Sequence, residues 1–378
     1  MSIHHVANAR HAILRRTIAG AALSALSAFA FASAAAQPTT SGLTRLLESE
    51  LARMPARTGV YVKHLTTGEE AAVRADEAFS SASVIKLTIL VRAFQLVDQG
   101  KINLADRVEI RRADLRDGSG VLQYHDLGQT PTIKHLLTEM VITSDNVATD
   151  LLLTRVGGVD SLNAWLKSSG FAHLSMVARG HVYRRKILAL VNPAFDTLTA
   201  EETTGLQYAQ QGDALFALYA SLFTGARAAW VDMVLEPANK KILADGRSRL
   251  PVQDHAYWLG DMNPRETGRL LEAIERGTMT SASSAAMMRT MLRRQQAGAR
   301  RMPHFLDVPV AHKTGDSPVI ANDVGMIYAR SGTIIVAFFV NAVTGSLGET
   351  EDMIGRAAQR IVDYFDGPAA PVRRSPAP

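Results

Sequence analysis

Three short motifs stand in a fixed order along this chain and constrain its fold more than anything else in it. Ser83-Val84-Ile85-Lys86 is an S-x-x-K, Ser144-Asp145-Asn146 an S-D-N, and Lys313-Thr314-Gly315 a K-T-G. One S-x-x-K is expected by chance in a chain this long, whereas the other two are each expected at roughly 0.1 per chain or less. All three in order should arise by chance in about one such chain per thousand. A fold for this chain must bring together residues from positions 83, 144 and 313.

Periodicity says how it can. Leu43, Leu47 and Leu51 mark one face of a helix over 43–53. Gly59–Lys63 and Ala71–Arg74 flank Thr66-Thr67-Gly68, the pattern of a hairpin. A helix is expected from Ser83 to Gly100, others over 132–142 and 147–156. Strands return at 308–313, 323–330 and 332–341, and a helix over 349–364 follows. Strands from both chain ends would pair into one antiparallel sheet, with terminal helices on one face and a helical lobe inserted between, an α+β architecture. The expected division is a sheet part at 41–80 and 300–365 and a helical part at 81–299.

The N-terminus carries Arg10, Arg15 and Arg16, then an apolar stretch from Ile18 to about Phe31, then Ala34-Ala35-Ala36 before Gln37. That is a secretory leader over 1–36, and a periplasmic or secreted mature protein without a stable membrane anchor is expected. The three leader arginines account for three of the formal +5, leaving about +2. With no Lys/Arg stripe interleaved with aromatics, a nucleic-acid partner is not expected. Zero cysteines exclude disulfides and zinc–thiolate sites, and the eleven histidines form no H-E-x-x-H. No metal or organic cofactor is expected. The Pro/Ala-rich end, 366–378, reads as a tail.

Each motif has a chemical reading. Ser83 and Lys86 lie one turn apart at a helix start, where free N–H groups and partial positive charge favour an anion. A lysine kept out of water beside another cation loses its proton, and a neutral amine can take the proton of Ser83. Alone, the motif would read as a helix cap and a surface lysine. Ser144 and Asn146 would face a cleft, Ser144 as proton relay and Asn146 as amide ligand, with Asp145 turned inward. Ser144 could equally cap the next helix. Lys313 and Thr314, ending a strand, would bind a substrate carboxylate. Gly315 permits close backbone approach, and the N–H groups of Asp316 and Ser83 would form an oxyanion pair. A nucleophile of the G-x-S-x-G type is excluded, since no such sequence occurs.

The motif set resembles that of class A serine β-lactamases, within the penicillin-recognising fold shared with D,D-peptidases. The resemblance spans most of 41–365 and includes Gly118–Leu122, Ser144–Leu153 and Asn322–Gly325. It implies a three-layer α/β/α sandwich, an acyl-enzyme on Ser83, and a β-lactam or D-Ala-D-Ala peptide as substrate. Alternatives are a D,D-carboxypeptidase or endopeptidase acting on peptidoglycan, or a penicillin-binding or sensing domain that acylates without turnover. The oligomeric state is not legible.

The chain departs from the family between the second and third motifs, which are 169 residues apart, several dozen more than usual. The surplus lies at about 188–262, where the family carries its omega loop and deacylating glutamate in E-x-x-L-N. No such sequence occurs here. His181–Leu188 resembles the start of that loop but holds Arg184, Arg185 and Lys186. Glu201 is the first candidate for a replacement base, ahead of Glu202, which would cap a helix with Thr199, and Asp196. Asp316, in place of a small residue, would repel a substrate carboxylate or alter specificity.

Overall fold

The computed structural model describes residues 41–367. The expected leader and its cleavage point before Gln37 lie outside the described residues, as does the tail beyond 367. Ser41 caps helix α1 (Gly42–Ala52), its side chain accepting from Thr44 N at 3.0 Å. The helix buries Leu43, Leu47 and Leu51, as the four-residue spacing requires. A hairpin of β1 (Arg57–His64) and β2 (Glu70–Val73) follows, with Gly68 at φ +77 in its turn. After β3 (Phe79–Ser80), a 3₁₀ turn over Ala82–Ile85 leads straight into α2 (Lys86–Asp98).

The helical part holds α3 (Ile133–Ile142), capped by Thr132, α4 (Asn146–Arg155), capped by Asp145, and α5 (Gly158–Ser168). A short strand β4 (Ser175–Met176) precedes α6 (Gly180–Leu188), so the stretch resembling a loop is helical. The stretch expected to hold the surplus carries α7 (Ala200–Gln211), α8 (Ala228–Leu235) and α9 (Pro237–Gln253). β5 (Gly260–Met262) then pairs between β3 and β4 in a small three-stranded sheet. Helices α10 (Pro264–Arg276) and α11 (Ala282–Leu292) lead to β6 (Val310–Ser317), β7 (Ile320–Ala329) and β8 (Gly332–Asn341). Helix α12 (Leu347–Asp366) comes last and extends into the stretch expected to be tail. Its Asp366 carboxylate accepts from the N–H groups of Arg330 and Ser331 at 2.9 and 2.8 Å, which fixes that end.

The main sheet has the order β2-β1-β8-β7-β6, antiparallel throughout. β1 pairs with β8 from Arg57↔Asn341 to His64↔Ile334, joining the two ends of the chain. Alternation along β8 explains why it reads as a continuous apolar run. Ile334, Val336, Phe338 and Val340 pack with residues of α1 and α12, while Ile335, Ala337 and Phe339 join the larger core of the helical side. Three layers follow, with the sheet in the middle.

Candidate active site

A buried amide network holds the segment before Ser83 against the sheet. Asn322 Nδ2 donates to the carbonyls of Ser80 and Ser81 at 2.9 and 3.1 Å. Asn341 Oδ1 accepts from Ser80 N at 2.9 Å, and Asn341 Nδ2 donates to Asn322 Oδ1 at 2.9 Å. Ala82 then adopts φ +43, a left-handed conformation that an L-residue keeps only when its surroundings impose it. Gly315 has a definite reason to be glycine: a Cβ there would lie 2.4 Å from the Ser81 carbonyl oxygen. Without that close approach β6 could not lie beside the Ser83 turn. The three-residue K-T-G lies inside β6, not at its end as expected, because pairing with β7 continues to Ser317↔Ile320.

The three motifs meet. Lys86 Nζ donates to the Ser144 carbonyl at 2.5 Å, to Ser144 Oγ at 3.1 Å and to Asn146 Oδ1 at 2.9 Å. Lys313 Nζ donates to Ser144 Oγ at 3.0 Å and to the Thr314 carbonyl at 2.9 Å. Ser144 Oγ therefore stands between two amines, held there by a backbone at φ +58. The cap of α4 is Asp145, not Ser144: its carboxylate accepts from Ala148 N at 2.8 Å and from Leu122 N at 2.9 Å. Asp145 thus points inward, as expected.

Burial sets the charge state of the two lysines. Lys86 is pushed well below its ordinary pKa by loss of solvent and by the Lys313 charge. Lys313, fully buried, is lowered to about 8, chiefly by desolvation. Thr314 Oγ1 is buried without a hydrogen-bond partner and does not line the cleft.

The cleft above this cluster is lined by Ser83, Lys86, Asn146 and Asp316 among the expected residues. Ser144, Lys313 and Thr314 lie beneath it, each 3% exposed or less. Asp316 does not stand as a free charge. Its carboxylate is ion-paired to the buried Arg301, which also holds Glu351 at 2.7 Å and the Asn322 carbonyl at 2.8 Å.

None of the three acidic candidates for a base lines the cleft. Glu201 accepts from Arg112 Nε at 2.9 Å. Glu202 closes a capping box with Thr199 and pairs with Arg227. Asp196 faces Arg185 at 3.7 Å. The carboxylates that do reach the cleft are Asp117, Asp150 and Asp316. Asp117 pairs with Arg184 at 3.2 Å and Asp150 with Arg116 at 2.7 Å. For Asp150, burial opposes the charge, but His181, Arg116 and Arg179 outweigh it and hold the carboxyl below its ordinary value. Sequence reasoning did not single out Asn341, Asp117, Asp150 or Arg247. Asp150 stands in the Ser144–Leu153 stretch without a role having been read there, the other three stand in no motif, and only the tertiary fold brings them to the cleft or its support.

Helices on both faces of an antiparallel sheet built from both chain ends, with a Ser–Lys–Ser–Lys cluster where the helical lobe meets that sheet, define the β-lactamase and D,D-peptidase class of folds. The chain belongs to the β-lactamase enzyme family, whose model matches residues 41–219 and 239–365. It is a class A β-lactamase-like protein. The β-lactamase VEB-1 of Pseudomonas aeruginosa is 30% identical over 141 residues, 37% of this chain and 47% of that protein. The chain spans about half the length of the curated relatives it matches. Among solved structures, a β-lactamase from Sphaerobacter thermophilus superposes with TM-score 0.61 at 21% identity, over 86% of this chain and 96% of that one. PBP-A, solved as an acyl-enzyme complex with penicillin G, superposes with TM-score 0.61 at 20% identity over the same shares. These two likenesses speak for the fold alone. Residues 220–238, holding α8 and the start of α9, fall outside the family match.

Proposed function

We propose that this protein is a serine hydrolase that opens β-lactam amides through an acyl-enzyme on Ser83, and that deacylation is its slow step. The observation that carries the proposal is the convergence of Lys86 and Lys313 on Ser144 Oγ at 3.1 and 3.0 Å, directly below a cleft that Ser83 lines. In the acylation step Ser83 Oγ attacks the lactam carbonyl and its proton passes to neutral Lys86 Nζ. The C–O bond forms as the C–N bond breaks. The proton returns through Ser144 Oγ to the departing nitrogen. The N–H groups of Ser83 and Asp316 stabilise the oxyanion. Asn146 binds the substrate amide. Lys313 attracts a substrate carboxylate from beneath the cleft, its Nζ donating to Ser144 Oγ at 3.0 Å and polarising that hydroxyl toward the anion; Thr314, expected beside it as a ligand, stays buried. Gly315 keeps the strand close enough for this.

Hydrolysis of the ester needs a carboxylate or amine to deprotonate water. Each carboxylate in the cleft is bound to an arginine, and a carboxylate stabilised as its anion is a weak base. This favours slow release, and keeps a second reading alive: a penicillin-binding or peptidase-like protein that acylates and then stalls or passes the acyl group to an amine. A periplasmic location and a part in antibiotic resistance belong to the same proposal, the former on the leader pattern.

The test is intact-mass spectrometry after incubation with benzylpenicillin. An adduct of the penicillin's mass on the wild type, lost in Ser83→Ala, is the expected result. An adduct that persists in Ser83→Ala, or none on the wild type, overturns the proposal.

A further inference from the structure

Helix α9 returns one side chain to the cleft. Arg247 lines it, together with Tyr257 and Leu259 from the turn that follows. Charge in the cleft wall is otherwise balanced. Arg116 faces Asp150 at 2.7 Å, Arg184 faces Asp117 at 3.2 Å, and Asp316 is held by Arg301. Arg247 differs. Among the described residues no carboxylate forms an ion pair with it. Its Nη2 donates to the neutral side-chain carbonyls of Gln207 and Gln210 on α7, and its Nε is buried without a partner. A guanidinium in that state has donor capacity left over and no counter-charge, and an anion supplies both. Of the arginines that line the cleft, Arg247 alone has no carboxylate partner among the described residues.

The position of that charge indicates which part of a substrate meets it. A side-chain atom at Gly118 would touch Asn146 Nδ2 at 3.0 Å and Arg184 Nη2 at 3.1 Å, so the Arg184 guanidinium stands beside the Asn146 amide. Arg247 lines the same cleft as Arg184, Asp117 and Tyr183. Lys313 belongs to the other group, around Ser144 and Thr314. Arg247 thus lines the cleft on the side of Arg184 and Asn146, apart from the Lys313 group.

We propose that Arg247 is a specificity residue, selecting substrates that carry a carboxylate on the acyl side chain in addition to the one beside the scissile amide. The inference rests on acylation of Ser83. Benzylpenicillin and carboxybenzylpenicillin form the test pair, since they differ by one side-chain carboxylate. The second-order constant for acylation is measured for each by time-resolved intact mass. The wild type should prefer the dianionic compound, and raising ionic strength should erode that preference. Arg247→Gln should lower the ratio of the two constants about tenfold, the scale of a lost charge-assisted hydrogen bond. Arg247→Lys, which keeps the charge, should restore part of it. A merely structural role, clamping α9 to α7, lowers both constants by the same factor and leaves the ratio alone. That result, or a wild type that prefers the uncharged side chain, overturns the inference while leaving the Ser83 reading intact. If neither penicillin labels the wild type, both fall together.

Discussion

At the scale of residues the site is a problem of proton placement between two buried amines. Ser144 Oγ accepts from both, so both cannot hold a full charge cheaply, and loss of solvent with the Lys313 charge pushes Lys86 well below its ordinary value. A lysine is cationic below its pKa and neutral above it. Acylation should therefore rise with pH as Lys86 loses its proton. It should fall above about pH 8, where Lys313 loses the charge that a substrate carboxylate needs. The macroscopic limbs belong to the pair, but only the upper one involves the substrate's own charge. The expected result is a bell-shaped profile of kcat/KM for benzylpenicillin and no fall near pH 8 for an ester lacking the carboxylate. An identical upper limb with both substrates would show that Lys313 acts on the enzyme's own groups and not on the substrate. Ser83, Lys86, Ser144 and Lys313 were all legible in the sequence, because chemistry restricts which residue types can stand there. Asn322 was legible only as part of a resemblance and Asn341 not at all, since a buried amide that ties backbone to backbone leaves no mark in a linear pattern.

At the scale of elements the strands were the most legible part, because a sheet covered on both faces writes apolar residues at every position of β8. Helix α6 was not. Its Arg-Arg-Lys sequence lies where related chains hold a loop, and its helical state depends on packing Tyr183, Ile187 and Leu188 inward. The choice of Glu201 as base failed to find support for a related reason. Which face of α7 meets the cleft is decided by how the helices around it pack, and Glu201 ends up on Arg112. If no carboxylate in the cleft is free to act, loss of general-base help slows hydrolysis of the ester by about 10²–10⁴-fold. Stopped-flow hydrolysis of a chromogenic cephalosporin should then show a burst equal to the enzyme concentration, followed by a slow steady state. Glu201→Gln should leave the steady rate within about twofold, as for any surface substitution remote from the chemistry. Trapping of the acyl-enzyme by that variant would put Glu201 back in the site, and fast turnover without a burst would remove slow deacylation altogether.

At the scale of the whole molecule the sheet is what both halves share. Without cysteine there is no covalent tie between the chain ends, and β1 against β8 does that work through eight paired positions. One face of the sheet packs against α1 and α12, and the other against the helical side that carries most of the site. The Ser83 turn is bonded to β7 and β8 through Asn322 and Asn341, so loosening the sheet loosens the candidate site. This predicts that damage on the far face is felt in the helical side. Ile361 of α12 is fully buried, and Ile361→Ala should cost about 2–5 kcal/mol through lost burial and a residual cavity. The three tryptophans are Trp165, Trp230 and Trp258; the first two belong to the core of the helical side, the third follows α9, and none is in the core cluster that holds α12. Their fluorescence is thus a reporter remote from the substitution. In one cooperative unit, the tryptophan midpoint of thermal unfolding falls by several degrees together with the far-UV circular dichroism midpoint. If the dichroism falls in two steps while the tryptophan midpoint stays with the wild type, α12 and its face melt alone. The sheet would then not couple the two layers, and the positioning of Ser83 would have to be sought within the helical side.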